Sequence, residues 1–377
     1  MKYRVSDCVD IISGGTPRKS NELYWNGNIP WITVKDFNDK YVSTITDYIT
    51  LDGLEHSSVS LTEDQDILIS ARGTVGKVLM VDAGYTFNQS IFGLRADRSI
   101  LVPDYLFYWL EKNISLVKQG THGSVFETIT KDTFNHLIID LPSLEEQNQI
   151  AYKLSLLDRK KYLNNQINDN LADLAKTIFK ETIPSSEYIP LSELVDVKDG
   201  THDSPKQQNS GYPLVTSKAI KGTSINFSDL KLISQQDFNK INERSLVEHG
   251  DILFSMIGTV GLVYYVIDDP IKYAIKNIGL IKTHNSNYSN LIYLSLISYS
   301  GMSYIKTHIS GSTQQFLSLT NLRNFPIPKV SKEQLNLLNH QVAPIFSEME
   351  SVTHQTYLLN KLKNILLSKL LNYHFVA

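Results

Sequence analysis

Two stretches of this chain carry the same residues in the same order, and that repetition limits what the chain can fold into more than any other feature. Asp66-Ile67-Leu68-Ile69-Ser70 leads into Gly73-Thr74-Val75-Gly76, and Asp251-Ile252-Leu253-Phe254-Ser255 leads into Gly258-Thr259-Val260-Gly261, with the same offset of 185 residues in both pieces. Upstream, Ser6 and Val9-Asp10 answer to Ser192 and Val195-Asp196, while Gly15-Thr16 and Gly200-Thr201 each open a polar stretch that closes near Pro30 or Pro213. Downstream, Gly123-Ser124, Ile129-Thr130 and Phe134 are matched by Gly311-Ser312, Leu317-Ser318 and Leu322. Order is kept across the whole length, which marks a tandem duplication of one structural unit.

Each half has an irregular β-rich part followed by a long helical part. In the β-rich part, Val247 to Ile257 and Val260 to Ile267 carry β-branched and aromatic residues around glycine turns, the pattern of hairpins. From Glu145 onward, Ile150, Leu154, Leu157, Leu163, Ile167, Leu171, Leu174 and Ile178 fall mostly at steps of three and four, the period of a helix face. The second copy follows a heptad seam through Leu335, Leu338, Val342, Ile345, Met349, Val352, Thr356, Leu359, Leu366 and Leu370, with a gap near Lys363. Pro142 and Pro328 sit where each helix should begin, and Pro184 lies just past the end of the first. Both seams run several times the mean helix length of about 11–12 residues. Two such helices in one chain, separated by a globular insert, can pair with each other. The expected fold is α+β: two pseudo-repeated β-rich domains at residues 1–142 and 183–328, separated by two long helices at 143–182 and 329–377 packed as an antiparallel coiled coil. Leu171, Leu174, Met349, Val352 and Leu359 are the residues expected to build its seam.

Composition narrows the class. At 377 residues and 42% hydrophobic content the chain can bury two cores of ordinary domain size. Its start lacks a charged segment followed by an apolar run, and no apolar stretch reaches the roughly 18–20 residues that span a bilayer. A soluble, unexported, cytoplasmic protein is expected. The single cysteine, Cys8, cannot close an internal disulfide or complete a structural zinc site, and its neighbours Val9, Ile11 and Ile12 make it a packing residue. A net charge of −3 excludes a uniformly basic nucleic-acid binder and leaves room for local basic patches on loops.

Ile12-Ser13-Gly14-Gly15-Thr16-Pro17, Tyr24-Trp25, Ile29-Pro30-Trp31-Ile32, Gly73-Thr74-Val75-Gly76-Lys77 and Leu141-Pro142-Ser143-Leu144-Glu145-Glu146-Gln147 together resemble the target-recognition half of type I restriction-modification specificity subunits. Asp199-Gly200-Thr201-His202-Asp203-Ser204-Pro205-Lys206, the second Gly-Thr-Val-Gly and Lys332-Glu333-Gln334 resemble another variant of it. The second helix start departs from the first: Pro328 to Gln334 is one residue longer than Pro142 to Gln147, and Lys332 stands in place of a carboxylate. The resemblance covers essentially the whole chain. It implies two target-recognition domains, each reading one half of a bipartite, asymmetric double-stranded DNA site, and helices that set the spacer and dock partners. It also implies those partners: methyltransferase subunits that modify adenine N6 with S-adenosylmethionine, and restriction subunits that translocate and cut DNA with ATP and Mg.

No cofactor, metal or catalytic group is expected in this chain itself. Gly73 to Val78 is the nearest approach to a phosphate-binding loop, but Ala71 and Val78 occupy the places that need glycine and a hydroxyl, and the second copy has Leu262 for Lys77. A hairpin turn is the plainer reading. Asn28-Ile29-Pro30-Trp31 departs from the Asn-Pro-Pro-aromatic motif of amino-methyltransferases at Ile29, no Gly-rich cofactor loop follows a strand, and it reads as the start of a strand. The histidines fall in no metal-ligand spacing, and the Gly-Ser steps lack the nucleophile-elbow pattern.

Residues that touch DNA must be polar and lie on the loops of each β-rich domain, because base edges and phosphates are bound by such donors. In the first domain these are Thr16, Arg18, Lys19, Ser20, Lys35, Arg72, Lys77, Asn88, Gln89, His122 and Ser124. In the second they are His202, Ser204, Lys206, Gln207, Gln208, Lys218, Lys276, Asn277, Ser312, Gln314 and Gln315. Each is equally readable as a solvated turn former. A duplicated coiled-coil scaffold without DNA specificity stays open as the alternative, and an autonomous enzyme is the weaker third reading.

Overall fold

The computed structural model describes residues 1–371 apart from 38, 43–44, 120–127, 185–186, 222–223, 228–229, 268–269 and 313. The chain divides into two compact units, Met1–Tyr162 with Leu358–Ala377, and Leu163–Tyr357. The divisions fall inside the two long helices, Leu144–Thr182 and Lys332–Leu371, so the first unit is built from two separate pieces of chain and the second from one continuous segment.

In the first unit an antiparallel sheet runs in the order Val9–Ser13, Ile91–Ala96, Asp66–Ser70, Val78–Val81. Asp66–Ser70 is buried at every position, as a central strand covered on both faces must be. A smaller sheet holds Trp25–Ile32 between Tyr48–Ile49, antiparallel, and Thr86–Phe87, parallel. Helix Pro103–Lys112 packs its Tyr105, Leu106, Tyr108 and Leu110 into the core. Cys8 is fully buried in that core.

The second unit repeats the plan. Its larger sheet runs Val197–Asp199, Ile278–Ile281, Ile252–Ser255, Val263–Tyr265, and Tyr212–Val215 lies between antiparallel Leu232–Ile233 and parallel Ala274–Ile275. The duplication read from short motifs is therefore a duplication of strand order and pairing sense.

The Gly-Thr-Val-Gly segments are hairpin turns. Gly73 and Gly76 have φ of 78° and 86°, and Gly258 and Gly261 have 81° and 94°, values that side chains with a Cβ avoid. The preceding serine closes both turns: Ser70 Oγ donates to Thr74 O (2.6 Å) and accepts from Lys77 N (2.8 Å), and Ser255 Oγ does the same with Thr259 O (2.6 Å) and Leu262 N (2.7 Å). The aspartate that opens each motif is also structural. Asp66 is paired with Arg95 at 2.8 Å, and Asp251 with Lys282 at 2.5 Å. The Asp66 bond, foremost, holds the Arg95 pKa above its ordinary value. Glu248, Asp251 and His284 could by their spacing surround a metal, but the Lys282 ammonium already lies 2.8 Å from Glu248 and fills the cationic position.

Both long helices start in the same way despite their different sequences. Ser143 Oγ accepts from Glu146 N while Glu146 Oε2 accepts from Ser143 N, and Ser331 and Gln334 make the reciprocal pair again. Lys329 and Val330 are taken up between Pro328 and the cap, whereas Ser143 follows Pro142 directly, so the expected difference in helix start disappears at Ser331.

The seam of the second helix lies where the heptads place it as far as Val352: Leu335, Leu338, Val342, Ile345, Met349 and Val352 are buried, each contributing about 1.5–3 kcal/mol. Beyond the buried Lys363 the seam passes to Leu367 and Leu371, one position on from the expected Leu366 and Leu370, which are half-buried. The first helix differs from the apolar pattern. Leu163, Ile167 and Leu174 are 44%, 38% and 49% exposed. Its buried face is Ala151, Leu154, Asp158, Asn164, Asn168, Ala175 and Phe179. Leu174 thus faces outward beside the seam residue Ala175, while Leu171 and Leu359 are half-buried at its margin. The physical reason is that the polar seam residues have partners on the other helix. Within the second unit Asn164 Nδ2 donates to Thr356 Oγ1 (3.1 Å), Asn168 Nδ2 to Thr353 Oγ1 (3.0 Å) and Thr182 Oγ1 to Gln341 Oε1 (2.9 Å), a register that runs antiparallel.

In the first unit the gap at Lys363 is itself a contact. Lys363 Nζ lies 2.9 Å from Asp158 and 2.8 Å from Glu111, Asp158 accepts from the Tyr108 hydroxyl (2.8 Å), and Lys40 donates to Tyr108 (3.0 Å) and pairs with Asp104. Burial alone would lower the Lys363 pKa, but Glu111 and then Asp158 hold it above the usual lysine value. At Lys40 burial prevails over Asp104 and the pKa falls. Among the described residues no helix is long and apolar enough to cross a membrane.

Candidate nucleic-acid interface

Polar loops of the first unit converge beside the parallel strand pair. An open cleft of 390 Å³ is lined by Lys19, Lys35, Arg72 and Asn88, all expected as contacts, together with Trp31 and Ser90. Short-range structure sets each of these. Thr33 opens the turn Val34–Asp36 that lifts Lys35 out, with Asp36 Oδ2 accepting from Thr33 N at 2.7 Å. Arg72 and Gly73 form the tip of the first hairpin, and Asn88 Oδ1 accepts from Ser90 N at 2.9 Å. Trp31 is fixed by its indole N–H donating to Gly15 O at 3.0 Å and packs edge-on to Trp25. Three exposed cations share the lining with one carboxylate, Asp47, and with the largely buried Trp31 ring. Such a surface attracts anionic, planar groups.

Other expected residues lie apart from that cleft. Arg18 and Ser20 are exposed on the adjoining loop, and Lys77 is tied to Phe37 O at 3.0 Å. Thr16 meets Gln89 through a hydroxyl-to-carboxamide bond. His122 and Ser124 lie outside the described residues.

The second unit presents the corresponding loops with different chemistry. His202 is held between Asp199 (Nε2 to Oδ2, 2.8 Å) and Asn277 (Nδ1 to Oδ1, 2.7 Å), Arg244 pairs with Asp199, and Lys276 donates to Ser204 at 2.5 Å. Lys218 is exposed on the turn that answers to that of Lys35. Lys206, Gln207 and Gln208 are exposed, the last anchored by its N–H to Leu232 O (2.9 Å). Ser312, Gln314 and Gln315 are exposed beside the second hairpin, whose Gly258 N donates to Gln315 O at 2.9 Å. Sequence reasoning missed Trp31 as a wall of the cleft, and it missed Asp199 and Arg244 as the supports of His202. Trp31 and Asp199 stand within stretches the sequence singled out, whereas nothing in the sequence pointed to Arg244, 45 residues from Asp199.

The sequence profile of the family described as Type I restriction modification DNA specificity domain matches residues 1–172 and again residues 185–365. The chain belongs to this family. It is 24% identical to the Type I restriction enzyme MjaIX specificity subunit of Methanocaldococcus jannaschii over 400 residues, covering 97% of this chain and 91% of that protein. A type I restriction enzyme specificity subunit of Escherichia coli is 32% identical over 166 residues, which cover 42% of this chain and 40% of that one. Among solved structures, the type-I restriction-modification S subunit from M. genitalium shares the fold, with a TM-score of 0.51 at 16% identity, over 98% of this chain and 96% of that chain. Membership of the specificity family accounts for the double match and agrees with a role in DNA recognition rather than catalysis.

Proposed function

We propose that this chain is the DNA-reading subunit of a type I restriction-modification complex, each repeat reading one half of a bipartite site. The observation that carries this reading is a single strand framework present twice, with polar loops of different composition mounted at corresponding places. A framework that holds its loops while their residues differ suits two unlike half-sites. The basic cleft of the first unit supplies phosphate and base-edge donors in a chain whose net charge is −3. Methyltransferase and restriction subunits would then supply the chemistry in the cytoplasm, the first with S-adenosylmethionine for adenine N6 methylation, the second with ATP and Mg for translocation and cleavage. The chain itself would hold no cofactor. Helices of 39 and 40 residues, about 60 Å long at roughly 1.5 Å per residue, are suited to keep the half-sites at a set distance while their outer faces dock the methyltransferases.

Domain exchange tests this reading. Replacing residues 183–328 by the corresponding segment of another specificity subunit, in cells that carry the methyltransferase partner, should change one half of the methylated sequence and leave the other intact. A change in both halves, or no sequence preference before or after exchange, would refute it.

A further inference from the structure

Backbone hydrogen bonds align the two units residue by residue at the recognition loops. Gly15 N donates to Phe87 O (2.9 Å) and Thr201 N to Ile275 O (3.1 Å), while Asn88 N donates to Ile32 O (3.0 Å) and Lys276 N to Val215 O (2.9 Å). Thr16 therefore corresponds to His202, and Gln89 to Asn277. Here both units make the same kind of bridge. The Thr16 hydroxyl donates to Gln89 Oε1, and His202 Nδ1 lies 2.7 Å from Asn277 Oδ1. The partners are 73 and 75 residues apart in the chain, so the fold, not local sequence, brings them together twice.

Both bridges lie at the surface, where such a bond adds little to stability. Their geometric effect is larger. At Gln89 the hydroxyl occupies one lone pair of the carboxamide oxygen and fixes the amide plane. At Asn277 the ring nitrogen fixes the plane in the same way, whether it donates to the carboxamide oxygen or accepts from the amide N–H, and in either case one amide donor and one oxygen lone pair remain. A carboxamide held in this way matches the adjacent N6 donor and N7 acceptor of adenine in the major groove. Arg18 and Lys19 come two and three residues after Thr16, and Lys276 precedes Asn277, so cations suited to flanking phosphates lie close in the chain to each bridge.

We infer that Gln89 and Asn277 each read an adenine in their own half-site, with Thr16 and His202 as positioning residues that fix the amide. This assignment rests on the DNA-reading function proposed above. It is tested by assembling the full chain with its methyltransferase subunits, selecting duplexes from a randomised library and sequencing those bound. The unsubstituted chain should select two specified blocks. Gln89→Ala should relax one A·T pair in one block by roughly 5- to 150-fold, and Asn277→Ala one A·T pair in the other. Gln89→Glu should shift the same position toward C·G, because a carboxylate only accepts and cytosine N4 donates. Thr16→Val should relax that position less than Gln89→Ala does and leave every other position unchanged. Unaltered blocks in both alanine variants, or even loosening across all positions, would overturn the assignment alone. Absence of any selected block with the unsubstituted chain would instead sink the DNA-reading function from which it follows.

Discussion

Substitution of Lys363 by methionine isolates the buried charge network of the first unit. Methionine keeps much of the length of the side chain and removes the ammonium, leaving Asp158, whose side chain is 3% exposed, facing an apolar group. Removing one partner of a buried pair costs about 3–5 kcal/mol, because the remaining charge has lost its compensation without regaining water. Asp158 keeps the Tyr108 hydroxyl at 2.8 Å and Lys161 at 3.6 Å, and Glu111 is 35% exposed and can hydrate. The lower end, about 3 kcal/mol, is therefore expected. For a unit of this size that loss lowers the melting temperature by about 6–12 °C. Calorimetry of the full chain measures it, with hydrogen exchange over residues 103–112 locating the loss in the first unit. The double variant Lys363→Met with Asp158→Leu should recover part of the stability, since an apolar pair replaces an ionic one, while the Tyr108 O–H loses Asp158 as its acceptor and Tyr108 keeps only the bond it accepts from Lys40. A single variant that melts within about 1 °C of the unsubstituted chain would refute the reasoning, as would a double variant as weak as the two single losses added together.

Two further outcomes follow from the helices. Inserting four residues, about one turn, near Thr177 should lengthen the unread spacer between the methylated half-sites and leave both half-site sequences unchanged. Methylation mapping that shows the original spacer at full activity would remove the helices as its determinant. Asn164→Leu should raise the melting temperature by a few degrees, because Asn164 is 1% exposed and its Oδ1 has no partner among the described residues. A lower melting temperature would show that its bond to Thr356 outweighs the orphaned oxygen.

Repetition made the architecture legible. Asp66 and Asp251, the paired glycine turns and the serines that close them recur because each holds a strand pair that the fold builds twice. The second helix was legible too, since its seam is apolar from Leu335 to Val352. The first was legible as a helix but not in its facing. Counting apolar steps placed Leu163, Ile167 and Leu174 inward, whereas Asp158, Asn164 and Asn168 are inside because Lys363, Thr356 and Thr353 meet them from the other helix. A buried polar residue is recognisable only through a partner, and these partners lie about 190 positions away in the chain. Pro344 illustrates the same limit, since it sits inside Lys332–Leu371 where proline ordinarily ends a helix. Of the recognition loops, the sequence supplied the residue types and their neighbourhoods. The meetings of Thr16 with Gln89 and of His202 with Asn277 depend on strand pairing across more than 70 residues.

That the first unit joins Met1–Tyr162 to Leu358–Ala377, with the second lying wholly between them, reverses the order in which a ribosome completes them. All residues of the second unit have been made when those that close the first are still to come. At about 5–20 residues per second the earlier segment waits roughly 10–40 s for Lys363, Leu367 and Leu371 to cover Leu154 and neutralise Asp158. During that interval the nascent chain displays an open apolar face, with Asp158 still lacking its Lys363 partner. Chaperone capture and proteolysis should fall most heavily there, and a premature stop immediately after Tyr357 would leave the second unit whole and the first permanently unfinished.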